Sequence, residues 1–143
     1  MRWRRFRISR RVDERGYPSL ANVLVVDDEA KVRAYLRRVL TTLGHAVSEA
    51  PDGAEALRLL DASAFDLVIT DAYMAEMDGM ELLARIQQRG LRVPVVMMSG
   101  GGHMARGDVL TMGASSGAVA TLEKPFTPEQ LRLTIAPMLQ SAP

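Results

Sequence analysis

Three carboxylates, one hydroxyl and one ammonium group stand directly at the ends of short apolar runs of this sequence. Asp27 and Asp28 follow a Val-Leu-Val-Val run, and Asp71 follows Leu-Val-Ile-Thr. Ser99 follows Val-Val-Met-Met, and Lys124 stands near the end of a weaker run. If these runs are parallel strands, their carboxyl ends meet at one edge of a sheet, where ligands of such sheets bind. The five side chains are therefore predicted to converge on one site.

The chemistry of these groups favours a magnesium ion and a phosphate. Three unpaired carboxylates in one crevice would repel one another and raise each other's pKa values, and a divalent cation and Lys124 would relieve this. Because the donors are oxygen atoms without His or Cys, the favoured cation is Mg²⁺, which often bridges to a phosphate. A carboxylate beside Mg²⁺ is a suitable nucleophile toward phosphorus. Lys124 and Mg²⁺ would supply positive charge, and Ser99 and a backbone N–H would donate hydrogen bonds.

The elements that must position this site alternate along the chain. Short β-branched runs predict strands, and apolar residues at three- and four-residue steps predict amphipathic helices. An α/β fold of the (βα)₅ type, with a parallel sheet covered on both faces, follows from this alternation. The predicted strands cover residues 23–26, 46–50, 67–69, 93–98 and 119–122. The predicted helices cover 32–43, 103–112 and three segments that begin after Asp52, at Gly79 and after Thr127.

Composition excludes several classes of protein. The chain has 143 residues, which is the size of one ordinary domain. It contains no cysteine, so a disulfide framework, a Cys-ligated metal site and a thiol nucleophile are excluded. No apolar run reaches the length of a membrane span, and no membrane association is expected. The two histidines, His45 and His103, are expected at the surface rather than in a phosphoryl relay.

The net charge of +1 conceals a charge asymmetry. Residues 1–16 contain seven arginines against two acidic residues, a local charge of +5, and the remaining chain carries −4. No long apolar run follows the basic part, so it is not predicted to be a secretory signal. We expect residues 1–20 to form a basic, disordered extension and residues 21–140 to form the folded domain. A nucleic-acid partner for the extension is not expected.

The ordered motifs resemble the receiver domain of bacterial two-component response regulators. The resemblance covers about residues 21–140 and is specific, because several motifs occur together in the right order. They are Asp27-Asp28, Asp71 followed by Tyr73-Met74-Ala75-Glu76-Met77-Asp78-Gly79, Ser99-Gly100, and Lys124-Pro125-Phe126. The resemblance implies a doubly wound, flavodoxin-like (βα)₅ fold whose five-stranded parallel sheet has the strand order 2-1-3-4-5.

The resemblance also implies roles for individual residues. Asp71 would accept a phosphoryl group from a phosphohistidine on a sensor histidine kinase or a histidine phosphotransfer protein. Asp27, Asp28, Asp71 and the backbone carbonyl of Tyr73 would hold Mg²⁺. The phosphorylated state would alter binding to a downstream protein or to a second copy of the chain.

Three further roles come from the same resemblance. Ser99 would be the switch hydroxyl that moves to the phosphoryl oxygen, and Lys124 would pair with the phosphoryl group. Pro125 would follow a cis peptide bond, for which proline is the residue that makes the cis form accessible.

The sequence departs from the receiver pattern at three places. Ala75 replaces a common proline in the loop after the acceptor. Tyr73 borders the phosphoryl group, and we hypothesise that its bulky ring slows dephosphorylation. Thr121 stands where many receivers have a switching aromatic residue, and the segment 115–123 before Lys124 is longer than usual. The usual aromatic coupling to the output surface is therefore absent.

Two other classes of function stay open beside a stand-alone cytoplasmic receiver that catalyses only its own phosphorylation and dephosphorylation. The chain could be the receiver part of a longer transcriptional regulator, which the full reading frame would reveal. It could also be an aspartyl-phosphate phosphatase of the haloacid-dehalogenase type. That class needs a second Asp two residues after the nucleophile, and Tyr73 occupies this place.

Overall fold

The computed structural model describes residues 20–100 and 120–139 and contains one five-stranded parallel sheet. The strand order is β2-β1-β3-β4-β5, so the predicted doubly wound α/β fold and its strand order are confirmed. The strands are β1 Asn22–Val26, β2 Ala46–Ala50, β3 Leu67–Asp71, β4 Val95–Gly100 and β5 Ala120–Lys124. The described helices are α1 Ala30–Thr42, α2 Gly53–Ala62, α3 Gly79–Gln88 and α4 Pro128–Leu139.

Several sequence predictions lie outside the described residues. These are the helix at 103–112 between β4 and β5, His103, and most of the basic extension at residues 1–20. None of the four described helices has the length and apolar content that crossing a membrane requires.

The central strands are apolar along their whole length because helices cover both faces of the sheet. In β1, Val23 and Val25 point to one face, and Leu24 and Val26 point to the other; all four are fully buried. Helices α1 and α4 cover the first face, chiefly through Leu36, Val39, Leu40, Leu131 and Ile135. Helices α2 and α3 cover the second face, chiefly through Ala56, Leu57, Leu60, Leu82, Leu83 and Ile86.

Side-chain caps fix the start of three helices close to the strand ends. The Asp52 carboxylate accepts a hydrogen bond from the Glu55 N–H at 2.8 Å, which confirms the predicted cap of α2. Asp78 caps α3 in the same way. At α4, Thr127 and Gln130 form a reciprocal capping box with distances of 3.1 and 2.8 Å.

The boundaries of two strands and the burial of His45 differ from the sequence predictions. Strand β4 begins at Val95 rather than Val93, because Pro94 has no N–H to donate to a sheet ladder. Strand β5 continues to Lys124 and carries this residue to the sheet edge. His45 is buried, with 7% of its surface exposed, rather than at the surface. Hydrogen bonds of its backbone and of the next residue hold His45 between α1 and β1: its N–H donates to the Leu40 carbonyl at 3.0 Å, and the Ala46 N–H donates to the Ala21 carbonyl at 2.8 Å.

Gly79 allows the first turn of α3 to press against the end of β3. Its N–H donates to the Ala72 carbonyl at 3.0 Å. A Cβ at this position would overlap the backbone carbonyl oxygen of Asp71 and lie 2.6 Å from the Met97 sulfur. Because the carbonyl belongs to a central strand, it cannot move aside without shifting Asp71. The absence of a side chain at residue 79 therefore helps to set the position of the Asp71 backbone.

We expect Gly79→Ala to destabilise the protein by about 1–3 kcal/mol, the usual cost of forcing an extra carbon into a packed site. The measurement is the free energy of unfolding in urea. Gly100→Ala is the control, because a Cβ there meets no described atom within 4 Å. Equal stability of the two variants would contradict the close-packing argument.

Candidate functional site

The structure brings three predicted carboxylates and the predicted lysine together at the carboxyl edge of the sheet. Carboxylate oxygens of Asp27, Asp28 and Asp71 lie within 4.8 Å of one another. The register of the sheet explains this proximity. Strands β1 and β3 are neighbours, with Val26 opposite Thr70, so the next residues, Asp27 and Asp71, stand side by side. Lys124 reaches the cluster from the end of β5, 97 residues along the chain from Asp27.

Asp27 is fully buried, and all four of its polar groups have partners. Its N–H donates to the Ala50 carbonyl at 3.2 Å. One carboxylate oxygen accepts from the Glu29 N–H at 2.9 Å, and the other accepts from the Lys124 ammonium at 2.9 Å. Its carbonyl accepts from the Arg33 guanidinium at 2.7 Å. These bonds offset the cost of burying a charged group, which is large when partners are missing.

Asp71 ends β3 and is also buried, with 7% of its surface exposed. Burial raises the pKa of Asp71 from its ordinary value of 3.8 to about 6. The ammonium of Lys124, 3.5 Å from the carboxylate, opposes this rise in pKa, whereas the nearby Asp27 charge adds to it. A backbone hydrogen bond from Tyr73 also favours the ionised form. Asp71 is therefore a desolvated carboxylate that a further cation would stabilise.

Lys124 is shared between the two buried carboxylates. Burial by itself lowers the pKa of Lys124, but the hydrogen bond to Asp27 and the charges of Asp71 and Asp27 outweigh burial and raise it. The lysine is therefore charged at neutral pH. Its ammonium lies closer to Asp27 than to Asp71, at 2.9 against 3.5 Å.

An open cleft of about 600 Å³ lies over the acidic cluster. It is lined by Asp28, Glu29, Asp71, Tyr73, Met74, Ala75, Gly100 and Lys124. The three carboxylates offer oxygen donors only, and one of them, Asp28, is exposed at the opening of the cleft. This donor set fits Mg²⁺, which prefers oxygen ligands and keeps several waters. The backbone carbonyl of Tyr73 as a further ligand stays a prediction.

Ser99 lies on the neighbouring strand but does not line this cleft. It is buried near the end of β4, where Met98 is the register partner of Asp71. Ser99 lines a second cleft of about 450 Å³ between β5 and α4, together with Thr121. The next residue, Gly100, lines the acidic cleft. A movement of the hydroxyl toward Asp71 stays a prediction from the family resemblance.

The segment after Lys124 has the expected geometry. The Lys124–Pro125 peptide bond is cis, as the resemblance implies. The Phe126 carbonyl accepts a hydrogen bond from the Tyr35 hydroxyl at 2.9 Å, and the two rings pack edge to face. This contact holds the β5–α4 connection against α1.

Sequence reasoning missed two groups that hold the acidic cluster. The first is the backbone N–H of Glu29, which binds the Asp27 carboxylate. The second is Arg33, whose guanidinium binds the Asp27 carbonyl and, through Nε, the Glu49 carboxylate at 3.1 Å. The one available signal is that Arg33 and Arg37 are four residues apart and share a helix face. Such a pair on a helix is usually a solvated surface feature, so spacing alone does not reveal the contact.

Comparisons with known proteins point to one family. A family model described as "Response regulator receiver domain" matches residues 23–136. The chain is 36% identical over 118 residues to the transcriptional regulatory protein TcrA of Mycobacterium tuberculosis, covering 81% of this chain and 45% of TcrA. It is 38% identical over 114 residues to the sensor histidine kinase RcsC of Salmonella typhi, covering 80% of this chain and 12% of RcsC. The chain thus spans less than half the length of these two relatives.

Solved structures show the same likeness. The chemotaxis protein CheY4 of Vibrio cholerae is similar with a TM-score of 0.75 and 31% identity, over 82% of this chain and 98% of that one. NtrX of Brucella abortus in complex with ATP is similar with a TM-score of 0.77 and 33% identity. The match with NtrX covers 84% of this chain and 27% of that one.

We predict that Asp71→Asn stabilises the metal-free protein, by about 2 kcal/mol near pH 8. The pKa of Asp71 in the folded protein, about 6, lies above its ordinary value of 3.8. The stability that this group contributes is therefore present below about pH 4 and is lost as the pH rises through about 6. The gain from Asp71→Asn should accordingly shrink as the pH falls from about 8 to about 5.

The measurement is urea unfolding of the parent and the variant in EDTA at both pH values. The difference between the two proteins cancels the contributions of the other carboxylates. A gain that is equal at both pH values, or a loss of stability near pH 8, would show that Asp71 is not held in the desolvated state described above.

Proposed function

The chain belongs to the response regulator receiver domain family, and we propose that Asp71 accepts a phosphoryl group from a phosphohistidine donor in a two-component phosphorelay. The observation that carries this proposal is the position of Asp71. It is a buried carboxylate with a raised pKa that lies in an open cleft between two further carboxylates and the Lys124 ammonium. The donor would be a sensor histidine kinase or a histidine phosphotransfer protein.

The proposed reaction is an in-line phosphoryl transfer. A carboxylate oxygen of Asp71 attacks phosphorus and forms an O–P bond while the P–N bond to the donor imidazole breaks. The imidazole nitrogen keeps the electron pair of that bond and takes up a proton. The product is an aspartyl phosphate, and no group is oxidised or reduced. Such a transfer depends mostly on positioning and charge neutralisation rather than on further covalent chemistry.

The residues around Asp71 supply this positioning and neutralisation. The backbone hydrogen bond from Tyr73 and the packing of Gly79 against the β3 carbonyl hold the nucleophile in place. Lys124 lies near enough to Asp71 to pair with an added phosphoryl oxygen. Asp27 and Asp28 would hold Mg²⁺ together with Asp71, and the bound ion would neutralise charge on the transferring group.

The proposal includes a signalling output but no turnover of a separate substrate. In it, Ser99 moves from its buried position toward the phosphoryl group, and the altered surface binds a downstream protein or a second copy of the chain. A cytoplasmic location is part of the proposal, because phosphohistidine donors are expected there.

A second candidate is the receiver part of a longer transcriptional regulator. It is favoured by the similarity to TcrA, a transcriptional regulatory protein of which the chain spans 45%. The two candidates share the chemistry at Asp71 and differ in what the phosphorylated domain controls. The complete reading frame in the source genome decides between them, because a DNA-binding segment joined to this chain would favour the regulator.

Incubation with acetyl phosphate and Mg²⁺ should add one phosphoryl group to the parent protein and none to Asp71→Ala. The added group should be labile, as expected for an acyl phosphate. Intact-protein mass spectrometry measures the gain. Asp78→Asn is the matched control, because it removes a nearby carboxylate from the same loop while Asn keeps the α3 cap.

This control should be phosphorylated like the parent. A parent that gains no phosphoryl group would contradict the proposed function. Phosphorylation of Asp71→Ala to the parent level would assign the acceptor to another residue.

Tyr73→Asn should release phosphate several-fold faster than the parent. Tyr73 lines the cleft and packs on the core beneath α2 and α3, so its ring limits the space for an attacking water. The measurement is the loss of phosphate from the purified phosphoprotein over time. Tyr73→Phe keeps the ring and should match the parent, and equal release rates for Tyr73→Asn and Tyr73→Phe would refute the hypothesis.

A further inference from the structure

Arg33 connects the acidic cluster to the far edge of the sheet. Its guanidinium Nη1 donates to the Asp27 carbonyl at 2.7 Å, and its Nε donates to Glu49 on β2 at 3.1 Å. The Arg33 side chain is 18% exposed, so water competes only in part for these bonds. Arg33 is thus a largely buried cation that contacts the backbone between two of the three carboxylates.

The Asp27 carbonyl is the last backbone group before the chain turns away from β1. Strand β1 ends at Val26, so the sheet ladder does not extend to this carbonyl. A buried backbone carbonyl without a partner is costly, and Arg33 supplies the partner. The carbonyl also lies in the plane of the peptide bond that joins Asp27 to Asp28. Holding the carbonyl therefore holds the orientation in which Asp28 leaves the strand.

Asp28 needs such backbone support because its side chain has little support of its own. It is exposed, and among the described residues its carboxylate has no hydrogen-bond or ion-pair partner. The Asp27 carboxylate, in contrast, is fixed from both sides by Glu29 N–H and Lys124. The peptide plane that precedes Asp28 therefore matters for the direction in which Asp28 leaves the strand.

Glu49 keeps the Arg33 guanidinium in place. One Glu49 oxygen binds Arg33 and the other binds Arg37, one helical turn further along α1. Burial raises the pKa of Glu49, but the hydrogen bonds and charges of the two arginines outweigh burial and lower it. Glu49 is therefore ionised over the whole neutral range, and the guanidinium is clamped between a carboxylate and a carbonyl.

We propose that Arg33 is a positioning residue for the magnesium site, which orients Asp28 toward Asp71 by holding the Asp27–Asp28 peptide. This inference rests on the proposed function only in that the three carboxylates bind Mg²⁺. The described contacts of Arg33 are with the Asp27 carbonyl and with Glu49, and not with the three carboxylates. Groups that orient metal ligands in other proteins usually bond to the ligand side chain. Arg33 instead bonds to the backbone that carries the ligand.

Two explanations of the role of Arg33 predict opposite effects of its removal on the affinity for Mg²⁺. If Arg33 acted only as a nearby positive charge, its removal would strengthen cation binding by the carboxylates, because like charges repel. If Arg33 positions Asp28, its removal weakens Mg²⁺ binding, on the order of ten-fold, as for other groups that orient metal ligands. A contact that served stability alone would leave the Mg²⁺ affinity of the folded protein unchanged.

The experiment measures the Mg²⁺ dissociation constant by titration calorimetry for the parent, Arg33→Met and Arg37→Met. Arg37→Met is the matched control, because it removes a cation and a Glu49 partner from the same helix. We expect weaker Mg²⁺ binding in Arg33→Met and a value near that of the parent in Arg37→Met. Equal or tighter Mg²⁺ binding in Arg33→Met would overturn the inference, as would equal weakening in both variants.

A second pair of variants keeps the test decisive if Arg33→Met does not fold, which circular dichroism will show. Lysine at position 33 keeps the positive charge, but its single compact ammonium replaces the planar fork, so it cannot be held by Glu49 while it fixes the Asp27 carbonyl. Arg33→Lys should therefore bind Mg²⁺ less tightly than Arg37→Lys, and equal constants would overturn the inference.

Phosphorylation of Asp71 in the same samples separates the two proposals. Weaker Mg²⁺ binding in Arg33→Met supports the inference even if the parent gains no phosphoryl group, an outcome that contradicts the proposed function alone. A parent that is phosphorylated while Arg33→Met keeps full Mg²⁺ affinity contradicts this inference alone. A parent that binds no Mg²⁺ contradicts both.

Discussion

The burial of two carboxylates beside one lysine is the constraint on which the rest of the structure depends. Asp27 and Asp71 are almost fully buried and stand on neighbouring central strands. Their mutual repulsion and loss of hydration would be prohibitive without a cation between them. Lys124 provides that cation, but only because β5 extends as far as the same edge of the sheet. The strand order 2-1-3-4-5 therefore has an electrostatic consequence as well as a packing one.

The backbone around the cluster is held by close contacts and hydrogen bonds from neighbouring residues. Gly79 lets α3 begin against the end of β3, and Asp78 fixes where that helix starts. On the other side, Glu29 N–H and Arg33 hold Asp27 at the start of α1. Such supports are necessary because the carboxylates repel one another and would separate if the strand ends were free to move. The positions of the carboxylates are therefore set by contacts within the protein itself.

The sequence allowed the alternation of strands and helices, the Asp52 and Thr127 caps and the convergence of Asp27, Asp71 and Lys124 to be predicted. These features depend on local periodicity and on the rule that parallel strands share a carboxyl edge. The Arg33 contact could not be predicted, because the target of a long flexible side chain depends on where the next strand lies. The raised pKa of Asp71 needed the actual depth of burial, since the competing influence of Lys124 has the opposite sign. The separate cleft beside Ser99 depends on how α4 packs against β5.

The Lys124 ammonium is shared unequally between Asp27 and Asp71, so added negative charge on Asp71 would draw it away from Asp27. The ammonium lies nearer to Asp27 than to Asp71 while Asp71 carries at most one negative charge. A phosphoryl group on Asp71 would bring additional negative charge and three acceptor oxygens to that side of the lysine. The balance of attraction would then move away from Asp27. Asp27 would still be held by the Glu29 N–H at one carboxylate oxygen and by Arg33 at its carbonyl. The supports that do not involve Lys124 would thus allow the lysine to change partners without loss of the strand-end geometry.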